Sequence, residues 1–303
     1  MHALFLGRCE KKKINENKTK MAAPFNPEEE QKAIFDLLQT LIQSIEKQDV
    51  ATMRSLIWPN GRVIRSRDAQ ISWLDFSEFI DRFGSDQRKT SEILHDETYE
   101  LLCIQPDFAV TWFASTVLVD EVPVSDTVNA LSVHKRDGKW KFSILADSGV
   151  SLGPGQEHRL STSSPPAFRN ETDEIAVRKV LSTFFDELAN SNVDGMLSQV
   201  WAPEAGAAIS RPHLAPQETL MLCRFSDIIE KWLPSAFPAV ETFDDYELRV
   251  HENIAVAVGP FKTFKVNGPE WIYRSHGWNM LALLKQDGVW KISGAADTAE
   301  LVI

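Results

Sequence analysis

Two stretches of the chain carry the same order of apolar and polar positions. Ile34, Leu37, Leu38, Leu41, Ile42 and Ile45 recur at spacings of mostly three and four, which predicts a helix with one buried stripe. Val177, Val180, Leu181, Phe184, Phe185 and Leu188 repeat that stripe 143 residues later. Asn26 suits the cap of the first helix, Pro27 its first turn, and Glu28, Glu29 and Glu30 its positive end. A short helix follows in each stretch, capped by Asp49 or Asn192 and ending at Trp58 or Trp201. A third helix carries Phe76, Phe79, Ile80 and Phe83, matched by Phe225, Ile228, Ile229 and Trp232. Strands are predicted at 97–104, 108–118, 125–135 and 140–146, then at 244–250, 253–264, 271–285 and 289–295. Asp137-Gly138 and Asp287-Gly288 mark tight hairpin turns. Helices first and antiparallel strands after give the class α+β.

The match extends along both stretches. Met53 pairs with Met196, Ser66-Arg67 with Ser210-Arg211, Tyr99 with Tyr246, Asn129 with Asn279, Trp140-Lys141 with Trp290-Lys291, and Ala146-Asp147 with Ala296-Asp297. The offset drifts from 143 to 150, and only in segments that read as loops. An internal duplication is therefore expected, as two domains rather than a solenoid. The expected limits are a disordered tail at 1–24, a first copy at 25–150, a linker at 151–170 and a second copy at 171–303. The linker is rich in Pro, Gly, Ser and Thr and has no apolar period. The tail is basic and lacks the order of a secretory signal, because its lysines follow the short apolar run.

Charge agrees with duplication. Residues 1–20 carry a net +4, residues 21–150 a net -8 and residues 151–303 a net -7. A total of -11 speaks against binding nucleic acid through its phosphates. No apolar run approaches a membrane span, so neither membrane nor nucleic acid is an expected partner, and a cytoplasmic location is expected. Three scattered cysteines and seven dispersed histidines suggest no disulfide framework and no metal cluster. Gly-rich phosphate loops and nucleophile-elbow motifs are absent from the sequence.

Each copy resembles the nuclear transport factor 2-like superfamily and, within it, the SnoaL-like polyketide-cyclase group. The resemblance rests on the order helix–helix–strand–helix–sheet and on the closing hairpins Asp137–Ile144 and Asp287–Gly294. It implies a cone, with a curved antiparallel sheet wrapped on the long helix and a pocket at the open end. It also implies pairing through the outer sheet faces, hence an intramolecular pseudo-dimer. Among the activities it implies are cofactor-free isomerases, cyclases and dehydratases acting on hydrophobic polyketide- or terpenoid-like molecules. Non-catalytic small-molecule or protein-binding modules share the fold, and a purely structural pseudo-dimer is a third reading. Fold alone does not choose among them.

Candidate chemistry falls into two groups. Arg67 and Arg211, and Asp147 and Asp297, occur in both copies. The arginines suit a carboxylate or enolate and the aspartates a general base. An ion pair and a strand-end cap are the plainer readings. Strand alternation puts Asp147 on the face of Lys141 and Ser143, not that of Trp140 and Phe142. The second copy adds His213, Tyr273, Arg274 and His276, with no match in the first. Alternation groups His276 with Arg274 and Trp278. A His276–Asp297 pair is expected as base and orienter, with His213 or Tyr273 as acid or oxyanion donor and Arg211, Arg274 and Trp278 at the substrate. A polar strand facing solvent or the other repeat is the alternative. His134 lies beside Lys135 and Arg136 near a turn and reads as solvent-facing. The second copy is therefore the expected working pocket.

Overall fold

The structure, a computed structural model, describes residues 25–68, 70–85, 89–95, 98–153, 170–210, 220–243, 245–268 and 270–302. The first copy runs α1 (Pro27–Glu46), α2 (Val50–Ser55), β1 (Ile57–Arg67), β2 (Gln70–Asp75), α3 (Phe76–Ser85), β3 (Thr90–Leu94), β4 (Glu100–Ile104), β5 (Phe108–Val119), β6 (Val122–Arg136) and β7 (Lys139–Ser151). The second runs α4 (Glu171–Ala189), α5 (Val193–Ser198), β8 (Gly206–Ser210), β9 (Met221–Arg224), α6 (Phe225–Asp227), a π-helical stretch Ile228–Trp232 and α7 (Leu233–Ala236). It closes with β10 (Ala239–Thr242), β11 (Glu247–His251), β12 (Ile254–Asn267), β13 (Glu270–Gln286) and β14 (Val289–Leu301).

Capping side chains start α1, α2 and α5. Asn26 accepts the Glu28 N–H at 3.2 Å, Asp49 that of Thr52 at 3.0 Å and Asn192 that of Gly195 at 3.1 Å. The short helix α2 stops at Ser55, earlier than expected, and Trp58 already lies in β1. Four strands absent from the sequence reading, β2, β3, β9 and β10, occupy the two ends of each sheet.

Both sheets have seven strands in equivalent orders, β2-β1-β7-β6-β5-β3 and β9-β8-β14-β13-β12-β10, with β4 and β11 added to β5 and β12. All pairings are antiparallel except β1 with β7 and β8 with β14. The hairpin turns have positive φ at Asp137 and Gly138 (51° and 73°) and at Asp287 and Gly288 (51° and 79°), which the strand twist requires. Each sheet wraps its long helix around a core of its own, Ile34, Leu38, Phe76 and Phe142 in the first and Val177, Leu181, Phe225 and Ile292 in the second.

One clamp recurs in both copies. Glu30 on α1 accepts the Trp140 Nε1–H at 2.6 Å and a bond from Lys135. Asp173 on α4 accepts Trp290 Nε1–H at 2.9 Å and Lys285 Nζ at 2.7 Å. Burial works against the charge on Glu30, but the bonds from Lys135 and Trp140 outweigh it and hold the carboxyl below its ordinary value. The repeated tryptophans are thus fixtures between helix and hairpin.

A third core lies between the sheets. Ile64, Val110, Trp112, Val128 and Ile144 meet Ala208, Val256, Val258, Met280 and Ala296. The copies therefore form an intramolecular pseudo-dimer through the outer faces of their sheets. At its rim Asp107 accepts Arg136 Nη1 at 3.0 Å, Thr298 Oγ1 at 2.9 Å and Ser210 Oγ at 3.3 Å. Arg249 bonds Glu100 at 2.7 Å and 3.0 Å.

His134 corrects an expectation. It is fully buried in this contact rather than solvent-facing, because Lys135 points to the opposite face of β6, where it pairs with Glu30 on α1. Its Nδ1 lies 2.8 Å from Ser143 Oγ and its Nε2 3.0 Å from the Asp297 carbonyl. The carbonyl only accepts, so Nε2 carries the proton of a neutral ring. Burial pushes its pKa down to about 4. The unfolded chain, at about 6.5, takes the proton first. The stability that His134 contributes is therefore complete above pH 6.5 and lost as pH falls toward 4, by about 3 kcal/mol. Leu284 holds the equivalent place in the second copy. Replacing His134→Leu should therefore shrink the advantage of the wild type by about 3 kcal/mol between pH 7 and pH 4 in urea titrations. A difference that does not change with pH would contradict the buried neutral ring.

Candidate functional site

Both cones contain a cavity, and the same three residues reach into each. Asn129 faces Asp147 across β6 and β7, and Asn279 faces Asp297 across β13 and β14. Glu92 on β3 stands opposite Val117, and Glu241 on β10 stands opposite Thr263, its structural counterpart. Glu, Asn and Asp thus meet at one level of each cone.

Beta-bulges aim these groups. On β7, Phe142 pairs with Val133 and Ile144 with Ser132, which leaves Ser143 as an extra residue. Ser293 is the extra residue on β14. Each bulge reverses the alternation beyond it. Asp147 therefore shares the inner face with Trp140, Phe142 and Leu145, contrary to the alternation expected from sequence. Asp297 follows Trp290, Ile292 and Ala295 inward in the same way.

The second cavity measures about 420 Å³. Its walls are apolar: Phe184 and Leu188 from α4, Phe225 from α6, Ile228 and Trp232 from the π-helical stretch, and Leu281 from β13. Its polar groups include Glu241, Asn279, Asp297, Arg274, Ser275 and Lys231. Asn279 Nδ2 donates to Glu241 Oε1 at 2.6 Å, and the Ser210 N–H donates to Asp297 Oδ1 at 3.1 Å. Asp297 and Asn279 are buried, 1% and 8% exposed. A smaller space of about 290 Å³ adjoins it, sharing Glu241, Thr263 and Arg274.

The first cavity is smaller, about 200 Å³, and far more polar in its ionic content. Asp147 meets Arg65 Nε at 2.9 Å and Arg67 Nη1 at 2.7 Å. Glu92 accepts from Ser115 Oγ, which is also bonded to Asn129 Nδ2 at 3.0 Å. Burial raises the pKa of Glu92, and Asp147 adds to the rise; the Ser115 bond and both arginines oppose it. In the second copy Ile209 faces Asp297 where Arg65 faces Asp147.

Comparison with known proteins bears on the fold only. No family model matches the chain, and no curated protein matches it. Solved structures do resemble one copy. One is an NTF2-like protein of unknown function from Silicibacter pomeroyi, at 12% identity, covering 41% of this chain and 98% of that one, with a TM-score of 0.33. Another, from Streptomyces avermitilis, is described as a candidate dehydratase of the NTF2-like family, at 15% identity, 42% and 100% coverage and a TM-score of 0.35. LinA matches at 15% identity, 43% and 87% coverage and a TM-score of 0.35.

The structure brings together part of the expected site. Asp297 and Arg274 line the second cavity, and Arg67 and Asp147 line the first. Arg274, although exposed, lines the cavity as the extra residue of a bulge: Thr263 pairs with Ser275 and Phe264 with Tyr273. His276 does not join Asp297. It is exposed, on the face of β13 shared with Trp278 and Met280, and its cross-strand neighbour is Glu300. Trp278 packs against the core between the sheets. Tyr273 is 37% exposed and packs its ring, tilted, against Phe264 at 5.5 Å, outside the cavity. His213 and Arg211 lie outside the described residues. Burial pushes the thiols of Cys103 and Cys223 up to about 12 and about 11, so neither is a ready nucleophile near neutral pH.

The sequence reading missed Glu92 and Glu241. A signal was present: they are 149 residues apart, the offset of the third helix just before them. The ion cluster of the first copy yields a prediction. Asp147→Asn leaves two part-buried guanidinium groups without their carboxylate and should cost about 2 kcal/mol. Urea unfolding would measure it, and a loss under about 0.5 kcal/mol would refute the clamp.

Proposed function

We propose that the second copy is an acid–base catalyst needing no cofactor, of the isomerase, cyclase or dehydratase type. Its substrate is a hydrophobic small molecule, polyketide- or terpenoid-like in size and polarity. The observation that carries this reading is the apolar cavity of about 420 Å³ whose polar groups converge on Asp297, Asn279 and Glu241. Such a cavity excludes water around the substrate body and leaves a few groups to orient it. Asp297 serves as the base that removes a proton next to a carbonyl. The Ser210 N–H, donating to its Oδ1, holds the carboxyl in place. Arg274, at the bulge, supplies a cation where negative charge develops on the substrate oxygen. Asn279, bonded to Glu241, holds that carboxyl in reach as the second proton carrier. Asp297 and Arg274 thus act with Glu241 and Asn279, while His276, Tyr273 and Trp278 lie apart from the reacting groups.

A carrier that binds without turnover is the second reading, favoured by the predominance of apolar wall over polar groups. Proton exchange separates the two. Enolisable hydrophobic ketones incubated with the protein in D2O should gain deuterium next to the carbonyl, followed by NMR. Asp297→Asn keeps the shape and should lower the exchange rate about 100-fold or more, with ketone affinity nearly unchanged. Ketones that bind to wild-type protein and never exchange would overturn catalysis and leave carriage.

A further inference from the structure

The first cavity holds positive charge that the protein does not fully use. Each guanidinium has five N–H groups. Arg65 gives Nε–H to Asp147, and its plane lies over the Phe79 ring at 5.2 Å. Arg67 Nη1 forms an ion pair with Asp147 Oδ1 at 2.7 Å and reaches the Ser66 carbonyl at 3.5 Å. Among the described residues, the remaining N–H groups of both arginines have no protein acceptor. Both arginines line the cavity. Against their two charges stand the carboxyl of Asp147, which pairs with both, and Glu92, whose ionisation burial disfavours.

We propose that the cavity of the first copy is a binding site for a small monocarboxylate with a short apolar tail. The head takes the forked N–H groups of Arg65 and Arg67, a geometry that suits a planar carboxylate. The tail lies along Ile45, Phe79, Phe83 and Val117. A space of about 200 Å³ limits the guest to a short chain or a single ring. The second copy lacks the fork, because Ile209 replaces Arg65. The two cones therefore take ligands of different chemistry, and this site stands whether or not the second copy is catalytic.

Isothermal titration of the full chain tests it, with sodium butanoate and sodium benzoate as probes and butan-1-amine and butan-1-ol as controls. One carboxylate per chain should bind, and the amine and alcohol should not. Arg65→Ile, which installs the residue of the second copy, should weaken carboxylate binding at least tenfold. Phe83→Trp fills the apolar end, leaves every charge in place and should weaken it as much. It carries the test if Arg65→Ile does not fold. Binding of the amine, absence of carboxylate binding, or wild-type affinity in a folded variant would each overturn the site.

Discussion

Every strand near the middle of this molecule must be apolar on both faces. One face wraps a long helix and the other meets the second sheet, so no face is left for water. The contact draws both large and small side chains from each sheet. Ile64, Trp112, Ile144 and Ala130 of the first share it with Val256, Met280, Ala208 and Ala282 of the second. Gly294 marks one close approach: a Cβ there would lie 3.0 Å from Ile64 Cδ1 and 3.4 Å from Ile144 Cγ2. The domain pair is thus a single packed body, and the helices and cavities sit on its two outer ends.

That constraint explains the bulges. Without the extra residues Ser143 and Ser293, strict alternation would turn Asp147 and Asp297 into the apolar contact between the sheets. An ionised carboxylate there would have no water and no cation, at a cost no fold of this size sustains. The bulge lets one strand anchor a core at its start and aim a carboxylate into a cone at its end. Ser143 also satisfies Ser132 and His134, so the irregular backbone fixes His134 between the copies.

The duplication, the helix caps and the closing hairpins were legible because they are local or periodic. The bulges were not. Neither Ser143 nor Arg274 differs from an ordinary strand residue, and one extra residue reverses every face assigned beyond it. This single effect moved Asp147 inward and separated Arg274 from His276. The strands β3 and β10 are five and four residues long, and all but one of their positions are neither buried nor fully exposed, so they carry no alternation to read. The glutamates they hold were lost with them. His134 was misjudged from charged neighbours, although neighbours on a strand point the other way.

The two cones have diverged from one plan. Both keep Glu, Asn and Asp at one level. The first surrounds its aspartate with two arginines in a small space, and the second places an isoleucine there and opens a larger apolar one. The claim that the second cone works on a hydrophobic guest is most directly tested by the native mass of the protein purified gently from its own cells, followed by analysis of what denaturation releases. The account predicts one apolar small molecule per chain, absent when Leu281→Trp fills the second cavity. The same molecule retained by that variant would contradict it.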